Sequence, residues 1–515
     1  MARDDGQVLP HLDPADVERV RGCFTDAGYT PDGVRALLGR SAHDALTRGE
    51  PEPAARASRD GGELGTLVRL FLLDGCEPEP AVTAALGDLD PLLAGRIVRR
   101  TPDGIVAGLD VRPYGEAGGD DPGSPDDANW WVVSDLDSPA SRQDREHVTG
   151  VGGASLSLAA ATVRRPVASL LDLGTGCGVQ ALHASRHAAR VVGTDLAPRA
   201  LALARLSCEL SGVPVELREG PWLEPVAGER FDQIVSNPPF VPGPARVDYV
   251  YRDSGQAGDS ALAALVADLP ELLNPGGIAQ LLGSWLNVRG ENWPDRVRAW
   301  IPDGCDAWIL QREAVDPAMH VGTWQRDAGL VPSSRSARAQ ATTWLDWMDA
   351  ERVEGVGFGF LLLRRHHRAD LAPRIVVEDL PGELTDGLGP EMAGWLDRTT
   401  WLRAHESDAD LLAATLRLAP EVILERASGV GEQGWSELST TVRRWGTPSW
   451  EHEVDDVAAS LLAGCRGDLP LSELVELLAV AHDRPVDALV SGTLDPVREL
   501  VRHGLLVPAD GWDPA

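Results

Sequence analysis

Between Val167 and Val179 a short apolar run passes directly into three glycines at alternate positions, Leu170-Leu171-Asp172-Leu173-Gly174-Thr175-Gly176-Cys177-Gly178. A buried strand that ends this way is built to turn tightly into a helix. Glycine permits the turn and a close approach of backbone to a ligand, and the helix that follows offers free N–H groups at its N-terminus. From Val167 onward, apolar runs alternate with helical segments, the pattern of a parallel sheet with crossover helices. Strands are expected at Ser169 to Leu173, Arg190 to Thr194, Val215 to Arg218, Phe231 to Ser236, Gly277 to Ser284, Cys305 to Gln311 and Val356 to Leu363. The interval from Arg312 to Arg352 is too long for a hairpin loop, so a helical insertion containing Thr343 to Met348 is expected there.

Alternating glycines alone also fit a dinucleotide site, so the rest of the set has to separate the readings. Asp195 ends the next strand, 21 residues after Gly174, where a carboxylate can accept both hydroxyl protons of a ribose or simply cap the helix ahead of Pro198. Further on, Phe231 to Ser236 runs into Asn237-Pro238-Pro239-Phe240 at the carboxyl end of a buried strand, the edge at which open α/β sheets bind ligands. Two prolines there fix the backbone and remove donors, leaving carbonyl oxygens free. That arrangement suits a conjugated, poorly nucleophilic nitrogen. The Asn237 side-chain oxygen and the Pro238 carbonyl can each accept one N–H while Phe240 stacks on the planar group, so that catalysis is mainly positioning and needs no metal or strong base.

Asp-x-Gly-x-Gly-x-Gly followed at this distance by Asn-Pro-Pro-Phe resembles the class I S-adenosylmethionine (SAM)-dependent N-methyltransferases. In particular it resembles the group that holds release-factor glutamine N5-methyltransferases and the small-domain enzymes acting on amino groups of RNA. The likeness covers about Val167 to Arg365. It implies an α/β, Rossmann-like, seven-stranded core with SAM as cofactor, held by Asp172, Gly174, Thr175, Gly176, Cys177, Gly178, Asp195, Leu196, Trp222 and Asn237, with Asn237, Pro238, Pro239 and Phe240 as the catalytic set. Leu196 would line the adenine pocket, and Trp222 would pack beside it in Gly220 to Pro225, where Pro221 stands in place of a common acid. The implied reaction is methyl transfer to a planar nitrogen. Protein glutamine N5 is the leading acceptor, and an adenine N6 or guanine N2 of RNA or DNA is the alternative, because Phe240 replaces the tyrosine usual in glutamine methyltransferases. A SAM-sensing regulator with winged-helix modules is a reading from another class, against which the intact acceptor motif counts; the same motif and the glycine spacing disfavour a nicotinamide-dependent oxidoreductase.

Length and composition bound the remainder. A chain of 515 residues exceeds one core. We expect a helical or winged-helix-like domain over 1–110, a connecting segment over 111–166, the methyltransferase domain over 167–366 and an acidic C-terminal domain over 367–515. No lysine occurs, which excludes Walker-type phosphate binding and Schiff-base chemistry through the chain's own side chains. The arginine-for-lysine bias points to a GC-rich bacterial source. Six scattered cysteines without Cys-x-x-Cys spacing argue against zinc clusters and disulfides. The absence of an N-terminal targeting pattern and of long apolar runs leads to an expected cytoplasmic location without a membrane partner.

The net charge of −32 lowers the expectation of nucleic-acid binding. Residues 371–515 hold 11 arginines against 26 acidic residues, a net of −15, and Val454 to Pro508 reads as a winged-helix-like module with a protein-contact role. Phe71 to Cys76 faintly echoes Ser460 to Cys465. The basic run Arg364 to Arg368 is expected to be a solvated strand end, His183 and His187 to be packing or surface residues, and Tyr249, Tyr251 and Arg252 to lie on a loop over the acceptor pocket. Oligomeric state is not legible.

Overall fold

The apolar run at Val167–Leu173 forms the centre of an eight-stranded sheet, buried over its last four residues as an interior parallel strand must be. In the computed structural model, which describes residues 9–116, 128–138, 141–245, 255–368, 370–382, 387–431, 434–446 and 448–509, the sheet strands are β1 (Val167–Leu173), β2 (Ala188–Asp195), β3 (Glu216–Glu219), β4 (Phe231–Ser236), β5 (Leu273–Val288), β6 (Cys305–Val315), β7 (Val353–Arg365) and β8 (Ile375–Asp379). Their order is β3-β2-β1-β4-β5-β7-β6-β8. The first five pair in parallel, and β7 inserts antiparallel between β5 and β6. That switch, with sheet order 3-2-1-4-5-7-6 for the first seven strands, is the class I methyltransferase topology. The eighth strand exceeds the seven expected; it is a short apolar run beyond the basic cluster, in sequence that reads as a linker.

Helices cross between the parallel strands. The one at Pro198–Ser211 shows the local logic well: Pro198 at its first turn is preset in φ, and Gly212 (φ +69°) ends it in a left-handed conformation. The insertion expected between β6 and β7 consists of helices Pro317–Asp327 and Arg335–Ala350, whose N-caps Asp316 and Ser334 accept backbone N–H bonds. Fully buried Phe231, Trp285, Trp308 and Phe360 anchor the sheet's two faces, each contributing roughly 2–3 kcal/mol by burial.

The described chain divides into two compact units, 1–159 with 165–378, and 160–164 with 379–515. In the first, the hairpin Asp110–Glu116/Ala128–Ser134 runs along the Pro198–Ser211 helix, whose Ser207 and Ser211 hydroxyls accept the N–H groups of Val133 and Trp131, both at 2.9 Å. Trp131 Nε1–H donates to the Tyr29 carbonyl at 2.7 Å, and buried Tyr29 donates its hydroxyl to the Val111 carbonyl at 2.8 Å. One continuous apolar core therefore reaches from Leu12 to Leu210.

Both terminal regions contain the same pairing scheme. In the first unit a helical stretch at 62–72 leads to Glu77, which bridges Ile105, then to helices Glu79–Leu86 and Asp90–Ala94 and a hairpin Val98–Thr101/Gly104–Ala107. In the second, helix Asp456–Gly464 leads to strand Arg466–Pro470, helices Leu471–Ala481 and Val486–Arg502, and strand Leu506–Pro508, with Thr415–Leu418 paired antiparallel between the two strands. The echo of Phe71 to Cys76 in Ser460 to Cys465 falls at the same point in each module, where the first helix passes into the first strand. A long hairpin, Val422–Gly431/Gly434–Arg444, follows the second module's inserted strand and exposes Val430, Trp435 and Leu438.

The basic run is not a solvated patch. Arg364 pairs with buried Asp306 at 2.8 Å, His366 meets the same carboxylate at 2.9 Å, and Arg365 donates to the Pro270 and Leu273 carbonyls; only His367 and Arg368 face solvent. The β6 acid, outside the run, is what draws it inward. Tyr249, Tyr251 and Arg252 lie outside the described residues, as do residues 117–127, a run rich in glycine, proline and aspartate.

The tightest point of the sheet is Gly359 in β7, where an added Cβ would stand 1.9 Å from the Leu310 carbonyl oxygen of β6 beside the bulge at Arg312. Gly359→Ala is expected to lower stability by about 3 kcal/mol, read as a reduced urea midpoint; an unchanged midpoint would contradict this backbone approach.

Candidate active site

Two chain segments leave the sheet side by side. Leu173 of β1 and Ser236 of β4 are register partners, and the Ser236 hydroxyl donates to the Leu173 carbonyl at 2.7 Å. The next residues are Gly174 and Asn237, so the glycine turn and the Asn-Pro-Pro-Phe segment emerge together at the carboxyl edge of the sheet. Ser236 is a positioning residue that sequence reasoning passed over, because a serine at the end of an apolar strand carries no motif of its own.

The turn is held from below. Gly174 and Thr175 donate their N–H groups to the Thr194 carbonyl of β2 at 2.9 and 2.8 Å. Gly174, Gly176 and Gly178 have φ of +75°, +56° and +89°. A Cβ on Gly174 or Gly176 would meet nothing within 4 Å, so the backbone there faces open space, whereas one on Gly178 would lie in van der Waals contact with Ala204 and Cys208 of the next helix. Two of the glycines thus open a cradle and the third seats the helix. Cys177 turns inward, 4% exposed, and burial pushes its thiol up to about 12; any contact from this position toward a ligand is through its backbone.

Asp172 is 1% exposed. Its Oδ2 accepts the Thr175 hydroxyl at 2.6 Å, and its Oδ1 is buried without a partner. Burial pushes this carboxyl up to about 7, against the lowering effect of the Thr175 hydroxyl and with a small upward push from Asp195. Asp195, at the end of β2, accepts Gly176 N–H on Oδ2 and Ala197 N–H on Oδ1, each at 2.9 Å, and burial raises its pKa as well. Each of its oxygens keeps a further lone pair. The capping role and a ligand role are therefore compatible at this residue.

Leu196 and Trp222, 56% and 37% exposed, lie on the same rim, joined through the Gly220 N–H, which donates to the Asp195 carbonyl at 3.0 Å. Trp222 has φ +47°. An orphaned buried oxygen, an open glycine cradle, an acid with free lone pairs and two exposed apolar side chains fit a ligand with an ammonium group, a ribose and an aromatic base, which is the inventory of SAM.

Beyond β4, Asn237 is half-buried and Pro238 buried. Phe240 packs against Phe358 of β7 at 5.5 Å and edge-on to Trp324 of the insertion at 6.4 Å between ring centroids. Buried His320, from the same insertion helix, donates its Nε2–H to the Pro242 carbonyl at 3.0 Å, and Val241 joins Val321, Trp344 and Met348 in one apolar cluster. The insertion thus fixes the segment from Phe240 to Pro242 from outside the sheet. His320 and Trp324 were not legible as site neighbours: their i, i+4 spacing reads as an ordinary helix face. His183, on the helix after the glycine turn, is buried against Tyr114, whose hydroxyl is 2.6 Å from its Nε2, and against Trp130.

Among the described residues no helix is long and apolar enough to cross a membrane, and no group of three or more metal-ligating side chains is assembled. Residues 152–281 match the family described as Methyltransferase small domain, while residues 26–108 and 393–508 match two domains of unknown function, DUF7059 and DUF7782. The chain is similar to release factor glutamine methyltransferases. It is 39% identical over 122 residues to that of Geobacter sulfurreducens, covering 21% of this chain and 43% of the relative, and 34% identical over 204 residues to that of Deinococcus radiodurans, covering 33% and 72%. It thus spans less than half of the first relative and nearly three quarters of the second. Among solved structures, a SAM-dependent methyltransferase from Geobacter sulfurreducens in complex with S-adenosyl-L-homocysteine aligns at 19% identity and a TM-score of 0.25, over 44% of this chain and 94% of its own. Strand order, glycine cradle and sequence relatives converge: the chain belongs to the class I SAM-dependent N-methyltransferases, in the group that contains the release factor glutamine methyltransferases.

Proposed function

We propose that the protein methylates the side-chain amide nitrogen of a glutamine in an acceptor protein. The observation that carries this reading is the register lock at Leu173 and Ser236, which sets a half-buried Asn237 and two prolines beside the glycine cradle. SAM, when bound, supplies an electrophilic methyl group on a sulfonium. The chain's own contribution is to hold Asp172, Asp195 and the backbone of Gly174 to Gly178 toward that cofactor, with Leu196 and Trp222 against its base.

On the acceptor side, the Asn237 side-chain oxygen and the Pro238 carbonyl accept the two amide N–H bonds, and Phe240 covers the amide plane. An amide nitrogen is a weak nucleophile because its lone pair is conjugated. Two carbonyl acceptors favour the charge that develops on nitrogen and aim the lone pair, and after transfer the nitrogen gives up one proton to water. The relatives named as glutamine methyltransferases and the acidic chain, net −32, support a protein acceptor. The winged-helix-like modules and Phe240 favour a nucleobase amino group as the second reading.

Transfer of labelled methyl into a bacterial extract, followed by protease or nuclease digestion, separates the two; label removed by nuclease and resistant to protease would sink the glutamine reading. Asn237→Ala is expected to lower turnover by about 100-fold or more with SAM affinity nearly unchanged, while Asp195→Ala weakens SAM and leaves residual turnover at saturating cofactor. A large loss of SAM binding in Asn237→Ala would remove it from the acceptor role.

A second prediction concerns acidity. Asp172 has a folded pKa of about 7, above its unfolded value, so the protonated form is favoured by folding, and its contribution to stability is present at low pH and is lost as pH rises through about 7. Without cofactor, Asp172→Asn is therefore expected to gain stability relative to the wild type between pH 5 and pH 8, by more than about 1 kcal/mol, measured by urea unfolding. An equal stability difference at both pH values would show that Asp172 is not held protonated.

A further inference from the structure

A cavity of about 190 Å³ lies in the first unit, walled by the Asp110–Glu116/Ala128–Ser134 hairpin, the 147–152 loop and Asp327 at the end of the Pro317–Asp327 helix. Its polar lining is mostly matched. Arg142 pairs with Asp137 through two nitrogens, and Arg199 pairs with Asp135 in the same manner. Asp135 also accepts the Val148 N–H at 2.9 Å, and burial lowers the pKa of His147, so it adds no cation near neutral pH.

Asp110 is the exception. It is 8% exposed, its Oδ2 takes Arg112 at 3.0 Å, and its Oδ1 is buried on the cavity wall with no partner. A buried carboxylate oxygen without a donor costs on the order of 1–3 kcal/mol, and a ligand cation would remove that cost. Burial raises this carboxyl to about 6, with Arg112 opposing and Asp74 and Asp137 adding, so it is ionised at pH 7.5.

The elements that wall the cavity are also those that frame the active site. Arg199 opens the helix that follows Asp195 and Leu196, the 147–152 loop leads to Ser155, whose carbonyl accepts Gln180 Nε2 at 2.8 Å in the helix after the glycine turn, and Asp327 closes the helix that carries His320 and Trp324.

We propose that this cavity takes one cationic side chain, an arginine or lysine, of the protein that is methylated, with Asp110 as its counter-ion. The inference rests on the glutamine reading for the identity of its ligand, but the cavity's preference for a cation can be measured apart from turnover. At pH 7.5 the full-length protein is titrated with N-acetyl-arginine amide and with its neutral analogue N-acetyl-citrulline amide. The arginine probe is expected to bind at least tenfold more tightly, and Asp110→Asn to abolish that difference. Gly152→Leu serves as a second variant, since Gly152 lines the cavity and a Cβ there meets no atom within 4 Å; it is expected to block both probes.

Equal binding of the two probes, or an arginine affinity untouched in both variants, overturns the inference. Glutamine peptides bearing arginine or citrulline beside the acceptor then report on catalysis, with a KM about tenfold lower for arginine in the wild type and equal KM values in Asp110→Asn. Methylation of both peptides with one KM in the wild type rejects the cavity as a substrate site and leaves the glutamine reading standing. Failure of every glutamine peptide and protein to accept label rejects the glutamine reading, while the probe titration still decides whether the cavity selects a cation.

Discussion

The pairing of β1 with β4 in one particular register is the constraint on which the chemistry of this protein depends. Leu170 to Leu173 lie against Gln233 to Ser236, and the ladder stops there with the Ser236 hydroxyl on the last carbonyl of β1. The two strands are 63 residues apart in sequence, and only the crossovers through β2 and β3 allow them to be parallel neighbours. A slip of one residue would turn Asp172 to the opposite face and carry Asn237 away from the glycine turn. Both strands are buried apolar runs, so the core that stabilises the sheet also enforces the register of the site.

A second thread is the cost of burying acids. Asp172, Asp195 and Asp110 all have carboxyl groups raised by burial, and two of the three keep an oxygen with no donor. Stability alone does not favour this, since a buried polar atom left unpaired is a loss. It becomes sensible when the absent partner is a cation supplied from outside. Asp172 stands two residues before the glycine turn, and Asp110 lines the cavity walled by the N-terminal hairpin. In a chain without lysine, neutralising partners inside the protein are arginines, which are long and already bidentate with Asp135 and Asp137. The unpaired oxygens of Asp172 and Asp110 are the ones that the proposed cationic groups would meet.

Much of this was legible in the sequence, for definite reasons. Strand β4 matches its expected limits, and β1, β2 and β3 differ by one or two residues at their ends, because buried parallel strands are continuous apolar runs bounded by turn residues. The long strands β5, β6 and β7 extend beyond their expected limits, since their ends are partly exposed and carry polar residues that read as loop. The helical insertion was foreseen from the length of the interval, but its role was not: that His320 and Trp324 support Phe240 is a tertiary fact without local signature. Asp110 was equally hidden, because a buried acid on a hairpin is recognised only once its neighbours are known. The basic run misled for the complementary reason, as its counter-ion Asp306 lies about 60 residues away in sequence and alongside it in the sheet.

The terminal modules show how a pairing scheme can persist while its parts are drawn from different places in the chain. In the first module the strand that bridges Glu77 follows the helices, as Ile105 within Gly104–Ala107; in the second, the corresponding middle strand, Thr415–Leu418, precedes them. What both keep is a Gly-Cys pair, Gly75-Cys76 and Gly464-Cys465, at the junction where a helical stretch, ending at Leu72 or at Gly464, passes to Glu77 or to strand Arg466–Pro470. Supplying the middle strand from upstream frees the chain beyond it to form the long Val422–Arg444 hairpin, in which Trp435 and Leu438 are exposed. The region 371–515 carries a net charge of −15, so it lacks the electrostatic attraction that dominates nucleic-acid affinity. Exposed apolar side chains on an acidic module suit a protein contact better than a nucleic-acid one, which is consistent with the protein acceptor proposed above.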